Sequence, residues 1–214
     1  MTTASALQRL RAKLNEASAG FFSDADLYNF LDSGQLETIT ICKSKQDFMQ
    51  KTDMSWYSVV IQSLIVPDTT VALTAGTAEY ALPSDFLYTH SLMIDVDNTA
   101  VKYRATLVSF DEFLWREGNT FTRGTSAEPK YYIRSLVSAP KFGVSPTPSS
   151  SSGTYLHHYY KVPATVTSGV ELALRPESHN AIIEFAYSFG LQQDNRSQES
   201  ELARQTAINL IKDL

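Results

Sequence analysis

The sequence predicts an α+β fold: an N- and C-terminal helical bundle around a central antiparallel β region. Two patterns predict it. Near both ends, apolar residues recur at the three-to-four-residue spacing of an amphipathic helix. Between them lie short runs rich in Val, Tyr, Thr and Leu, separated by Gly, Pro, Asn and Asp, which read as strands and turns. The expected boundaries are 1–66 for N-terminal helices, 67–175 for the central β region with a hairpin tip at 145–153, and 176–214 for C-terminal helices completing the bundle. All three belong to a single structural unit. A chain of 214 residues, 43% hydrophobic and 19% charged, is long enough to bury a core without disulfide or metal staples.

Leu7, Leu10, Leu14 and Ala17 place a first helix over about 5–17, stopped by Gly20, with Arg9, Arg11 and Lys13 on a solvated face. Ser23 and Asp26 form a capping-box pair that starts a second helix, striped by Leu27, Phe30, Leu31, Ile39 and Cys42. Gly34 lies inside it at a cost of roughly 1 kcal/mol against alanine, so either the helix bends there or another backbone passes close. Phe48, Trp56, Tyr57, Val60 and Leu64 favour a further helix over 46–64, although Val59, Val60 and Ile61 also suit a strand.

From Pro67 the pattern changes. Val71 to Leu73 and Tyr80 to Leu82 read as a hairpin around Thr74-Ala75-Gly76-Thr77, with Gly76 supplying a positive φ. Leu92 to Val96 and Val101 to Tyr103 read as a second hairpin across Asp97-Asn98. Ser109 caps a short helix to Arg116, and 118–129 is a polar exposed loop. Strands follow at Tyr131 to Arg134, Lys141 to Val144, Thr154 to Val162 and Val170 to Leu174. The stretch from Ser145 to Gly153 is a mobile hairpin tip. Pro176 opens a helix reaching Gln192, buried through Ile182, Phe185, Ala186 and Phe189. Asp194-Asn195 breaks it, and a last helix covers Gln198 to Leu214, with acids early and Lys212 late.

The chemistry-bearing residues do not assemble into an active site on this reading. The single cysteine, Cys42, excludes an intramolecular disulfide and lies on an apolar stripe. His157 and His158 are adjacent on a strand, so they face opposite ways and cannot share a metal. His179 and Glu184 diverge by about 140° around a helix. Asp95 and Asp97 are explained by turn chemistry. No phosphate-cradling glycine loop or nucleophile elbow occurs. A net charge of −5, with 18 basic against 23 acidic residues and no basic cluster, disfavours tight nucleic-acid binding. No run approaches a membrane span, and the start of the chain lacks a signal-peptide pattern, so a soluble protein is expected. Neither a catalytic residue, a cofactor nor a metal is expected. Tyr131, Tyr132, Tyr155, Tyr159 and Tyr160 suit either sheet packing or a protein interface.

The segment Tyr80-Ala81-Leu82-Pro83-Ser84-Asp85-Phe86 resembles the Tyr-x-Leu-Pro-x-Asp-Phe signature of bacteriophage head-to-tail adaptors (connectors) of the short-tailed-phage type. Further matches follow in order along the chain. Ser23-Asp24-Ala25-Asp26-Leu27 is similar to the family's helix start, and 109–113 to its Ser-x-x-Glu/Asp-Phe helix. Pro129-Lys130-Tyr131-Tyr132 matches its Pro-x-Tyr-Tyr strand, Val144 to Pro148 its Pro-x-Pro strand end, and 155–163 its Tyr-Tyr-x-x-Pro strand. The closing helices match as well, while 43–67 is longer than the family's usual passage from helix to hairpin.

The resemblance implies a structural virion protein of the phage neck, made in the host cytoplasm, and not an enzyme. It implies an adaptor ring of about twelve copies between the portal protein and the tail tube, nozzle or other tail proteins. Genomic DNA would pass through the ring without sequence-specific binding, and no membrane is involved. The helix at 198–214 is the expected portal contact, ordering on assembly, or else it simply completes the bundle. The tip at 146–153 is the expected tail-side contact. The alternatives are another neck or tail-completion ring, and a carbohydrate-binding tail module. The latter would need aromatic platforms, for which only Trp56 and Trp115, both on expected helices, are available.

Overall fold

The computed structural model describes residues 1–16, 20–48, 60–99, 101–119, 121–134, 139–149, 151 and 153–214. Its helices are α1 (Thr3–Lys13), α2 (Asp24–Phe48), α3 (Phe110–Glu117), α4 (His179–Gln193) and α5 (Ser197–Lys212). Its strands are β1 (Ile65–Ala72), β2 (Glu79–Ala81), β3 (Phe86–Asp95), β4 (Tyr103–Arg104), β5 (Thr106–Leu107), β6 (Lys130–Arg134), β7 (Lys141–Ser145) and β8 (Thr154–Lys161). The fold is α+β with helical ends, as the periodicity predicts. It divides into two compact units, a helical one (Met1–Leu64 with Pro163–Leu214) and a β one (Ile65–Val162).

In the helical unit, α1 starts and stops earlier than expected. The Thr2 side chain caps it by accepting from the Ser5 amide, and Asn15, at φ 60°, ends it well before Gly20. The Asn15 and Glu16 amides bond back to Ala12 and Arg11, a Schellman closure that satisfies carbonyls the helix end would orphan. Ala17 lies outside the described residues. The basic face of α1 is not simply solvated. Arg11 is buried and reaches Glu16, Asp24 and the Phe22 carbonyl, while Lys13 pairs with Glu184 at 2.7 Å. Those charges bind α1 to α2 and α4.

The Ser23–Asp26 capping box is fully formed, each side chain holding the other's amide at 3.0–3.2 Å. The question at Gly34 is resolved in favour of close approach: a Cβ there would sit 2.6 Å from the Ile182 carbonyl and 3.1 Å from the Ala186 amide on α4. Gly34→Ala is therefore expected to destabilise by about 1–3 kcal/mol despite alanine's better helix propensity, because two backbones must part. Urea denaturation checks this, and a variant as stable as wild type would contradict the packing.

Of the helix expected over 46–64, residues 49–59, including Trp56 and Tyr57, lie outside the described residues. Residues 46–48 continue α2, and Gln62–Leu64 form a 3-10 turn. Phe189 is half-buried rather than a core residue. The break at Asp194-Asn195 is as expected, with Asn195 at φ 60° and the Arg196 amide bonding back to Leu191.

The strand expected at Val170 to Leu174 does not form. Only Glu171 makes an isolated bridge, to Thr2. Residues 163–175 cluster with the helices, and polar side chains on α2 do the work of a ladder. Asp32 accepts from the Val166 amide at 3.1 Å, and Gln35, fully buried, accepts from the Ala173 amide at 2.8 Å. An extended segment without a neighbouring strand must find such partners for its amides.

The β unit holds two four-stranded sheets, ordered β1-β8-β3-β4 and β2-β7-β6-β5. Residues from both enter one core, including Leu92, Ile94 and Tyr155 from the first and Tyr131, Phe142 and Val144 from the second. Phe142 lies edge-on to Tyr155 at 5.1 Å and, like each fully buried large apolar side chain, contributes roughly 2–3 kcal/mol.

Two expected hairpins are replaced by crossings between sheets. β1 pairs with β8, and β2 pairs with β7, so 73–78 carries the chain from one sheet to the other; Gly76 does take a positive φ, 73°. β7 pairs with β6, and β8 with β1 and β3, so 145–153 is also a crossing and not a hairpin tip. The hairpin at Asp97-Asn98 forms, Ile94 opposite Tyr103, with Asn98 at φ 55°.

The Tyr-x-Leu-Pro-x-Asp-Phe segment is a corner where the chain passes from the second sheet to the first. Tyr80 stacks on Phe142, Leu82 is buried, and the Pro83 carbonyl receives the Phe86 amide. The Asp85 carboxylate accepts the Tyr159 hydroxyl at 2.9 Å. Each residue type in the motif thus has a mechanical role.

Candidate functional site

The residues singled out for chemistry are scattered and satisfied. His157 is 4% exposed among Phe86, Phe142 and Tyr159, with Nε2 3.1 Å from the Thr89 hydroxyl; burial pushes its pKa down to about 4. His158 is half-exposed on the opposite face. The His179 ring meets the Leu174 carbonyl at 2.8 Å, whereas Glu184 pairs with Lys13. Asp95 is buried and accepts from the Thr99 amide at 2.9 Å, while Asp97 is exposed. Cys42 is fully buried, and desolvation raises its thiol to about 12, far from a reactive thiolate. Among the described residues no group of three or more His, Cys, Asp or Glu side chains could hold a metal ion. Among them, too, no helix is long and apolar enough to cross a membrane.

What remains distinctive is surface. In the helical unit, α5 packs on α4 through a narrow stripe of Ala203, Ala207 and Ile211 at four-residue spacing. Ser200 donates to the Ser188 carbonyl, and Arg204 pairs with Glu37 at 2.7 Å. The rest of its circumference is open, and Leu202 is 69% exposed. The helix foreseen at 198–214 therefore is packed on one side and available on the other.

In the β unit, a row of three residues crosses the second sheet. Gly143 pairs with Glu79 on one side and with Tyr132 on the other. The Tyr132 ring lies over Gly143, and its hydroxyl donates to Glu79 at 2.5 Å; Arg134 reaches the same carboxylate at 2.7 Å. Burial and the Glu79 carboxylate raise the Tyr132 hydroxyl to about 12, while that hydrogen bond holds Glu79 below its ordinary value. Phe110 and Phe113 of α3 pack on the Tyr132 ring in T-shaped pairs, with centroids 4.9 and 4.5 Å apart. Ser109 caps this helix through the Glu112 amide, but Glu112 turns to Arg116 and does not complete the box.

The outer side of α3 carries Leu114 and Trp115, the latter 64% exposed, and the following loop carries Phe121, 97% exposed. The sequence reading missed these residues as a surface. A signal existed, since Trp115 lies two positions from Phe113 and so points away from the face that packs on the sheet. The loop after α3 is not wholly exposed as expected: Gly124 and Pro129 are buried, and Gly124 lies against the Ser145 carbonyl.

The segment foreseen as a free tip is tied down. The Gly76 amide donates to the Pro148 carbonyl at 2.9 Å, Leu73 to Gly153 at 2.8 Å, and Ala75 to the Ser151 hydroxyl at 3.2 Å.

No curated protein matches the chain. The model of the SU10 adaptor protein family matches it over residues 1–214, end to end, and the chain belongs to that family of phage adaptor proteins.

Proposed function

We propose that this protein is a ring subunit of the connector between portal and tail in a phage neck. The family match over the whole chain carries the reading. The family is one of structural phage proteins that work with other head and tail components of the virion, and it is not an enzyme class. In the proposed arrangement, about twelve copies close a heterologous ring, which leaves no unpaired end. DNA passes through the lumen, and the acidic balance of −5 suits a passage that does not grip phosphate. The open side of α5 meets the portal, and the crossing segment at 145–153 faces the tail.

Cryo-electron microscopy of the purified protein mixed with its portal tests the reading. A ring seated on the portal is expected. Failure to bind portal, together with sugar binding or hydrolysis, would overturn it in favour of a tail-associated module.

A sharper test addresses α5. Leu202→Asp places a charge where an apolar contact is proposed and touches nothing within the monomer's core. It is expected to weaken portal co-sedimentation by at least about tenfold while leaving the thermal midpoint unchanged. Undiminished portal binding would remove α5 from the contact.

A further inference from the structure

We infer that the β unit, Ile65–Val162, is an inserted module that opens and recloses cooperatively on its own while the helical unit stays folded. This property is independent of the connector reading above.

The chain enters and leaves the β unit through neighbouring strands. β1 begins at Ile65, which lies opposite Tyr160 near the end of β8, and the Val162 amide donates to the Asp85 carbonyl at 2.7 Å. Both ends of the insert are therefore fastened to other parts of the insert. Within it, Leu92, Ile94, Tyr131, Phe142, Val144 and Tyr155 share one core. At roughly a hundred residues, the unit lies in the size range of domains that fold alone.

The helical unit closes without the insert. Its two stretches, Met1–Leu64 and Pro163–Leu214, are tied directly to each other. The Ser63 hydroxyl donates to the Ala173 carbonyl at 2.9 Å, and the Val166 and Ala173 amides donate to Asp32 and Gln35. Lys13 pairs with Glu184, Arg204 pairs with Glu37, and Gly34 lies against the backbone of α4. Each of these contacts joins residues on opposite sides of the insert, and none uses an atom of the β unit. When the β unit opens, the helical unit has only to hold the ends of one long loop. The entropy cost of doing so rises with no more than the logarithm of loop length. Two units closed in this way are separate cooperative units, each with its own opening equilibrium. The chain can then remodel its β unit while its helices keep their contacts.

Native-state hydrogen exchange of the full-length protein, read peptide by peptide in urea below the unfolding transition, tests this. Peptides from β3, β6 and β8 are expected to converge on one opening equilibrium, and those from α2, α4 and α5 on another. Gly143→Ala should speed exchange in the strands by at least about tenfold and in the helices by less than about twofold. Gly34→Ala should do the reverse, speeding the helices by at least about fivefold and the strands by less than about twofold. If Gly143→Ala prevents the β unit from folding, full exchange in the strands beside protected helices supports the module equally, and loss of protection everywhere overturns it. Acceleration of both sets alike by either variant also overturns it. So does acceleration confined to the peptide that carries the substitution, or none at all.

Discussion

Gly143→Ala is expected to cost the β unit on the order of 3 kcal/mol, the scale of a severe overpacking defect. A Cβ at this position would lie 2.5 Å from the Tyr132 hydroxyl oxygen and closer still to the ring. The ring has no free direction in which to yield. Phe110 and Phe113 pack against it in T-shaped pairs, and its hydroxyl is committed to Glu79. Moving it would also unseat α3, the helix that presents Trp115. Urea unfolding of the single variants and of G143A/Y132A measures the coupling. With the ring removed, the alanine should cost less than about 0.5 kcal/mol. Additive costs, or a G143A protein as stable as wild type, would show that Tyr132 does not set the requirement for glycine.

Acid is expected to loosen the β unit between pH 6.5 and about 4 because of His157. Its ordinary value of 6.5 falls to about 4 in the folded protein, first because burial disfavours the cation and then because His158 is adjacent. In that window the unfolded chain binds a proton that the folded chain refuses. Stability is therefore complete above pH 6.5, declines as pH falls, and the decline ends once the folded state protonates too. At 1.36 kcal/mol per pH unit the loss approaches roughly 3 kcal/mol. His157→Phe keeps an aromatic ring in the cage of Phe86, Phe142 and Tyr159 and should flatten this part of the pH profile. His179, also lowered by burial, contributes a loss of the same sign in the helical unit, so the difference between wild type and variant is the quantity to read. An unchanged profile in H157F would place the acid sensitivity elsewhere.

The helical half was the more legible part of the sequence. A capping box and an Asn-containing helix stop act through atoms within a few residues of each other, so Ser23, Asp26 and Asn195 could be read locally. Gly34 was legible as a choice between bend and close approach, but only the carbonyl of Ile182, far along the chain, decided between them. Strand pairing was the weak point. Val71–Leu73 and Tyr80–Leu82 look like a hairpin because they are near in sequence and share a glycine turn. Their real partners are β8 and β7, about 60 to 84 positions away. Val170 to Leu174 carries a strand's composition but finds helix side chains instead of a ladder. The candidate surfaces were half legible: the sequence proposes the last helix and the 145–153 segment as contacts, but it does not show that Pro148 and Gly153 of the second are braced, nor that Trp115 and Phe121 stand exposed.

The sequence by itself determined the fold class, the helix signals and the family, because periodicity, caps and an ordered set of short motifs are written in neighbouring residues. Tertiary structure alone decided which strands share a sheet, why residues 34 and 143 must be glycine, and that Leu73 and Gly76 are tied to Gly153 and Pro148. Those outcomes depend on atoms brought together from distant parts of the chain, where close packing and not local preference sets the energy.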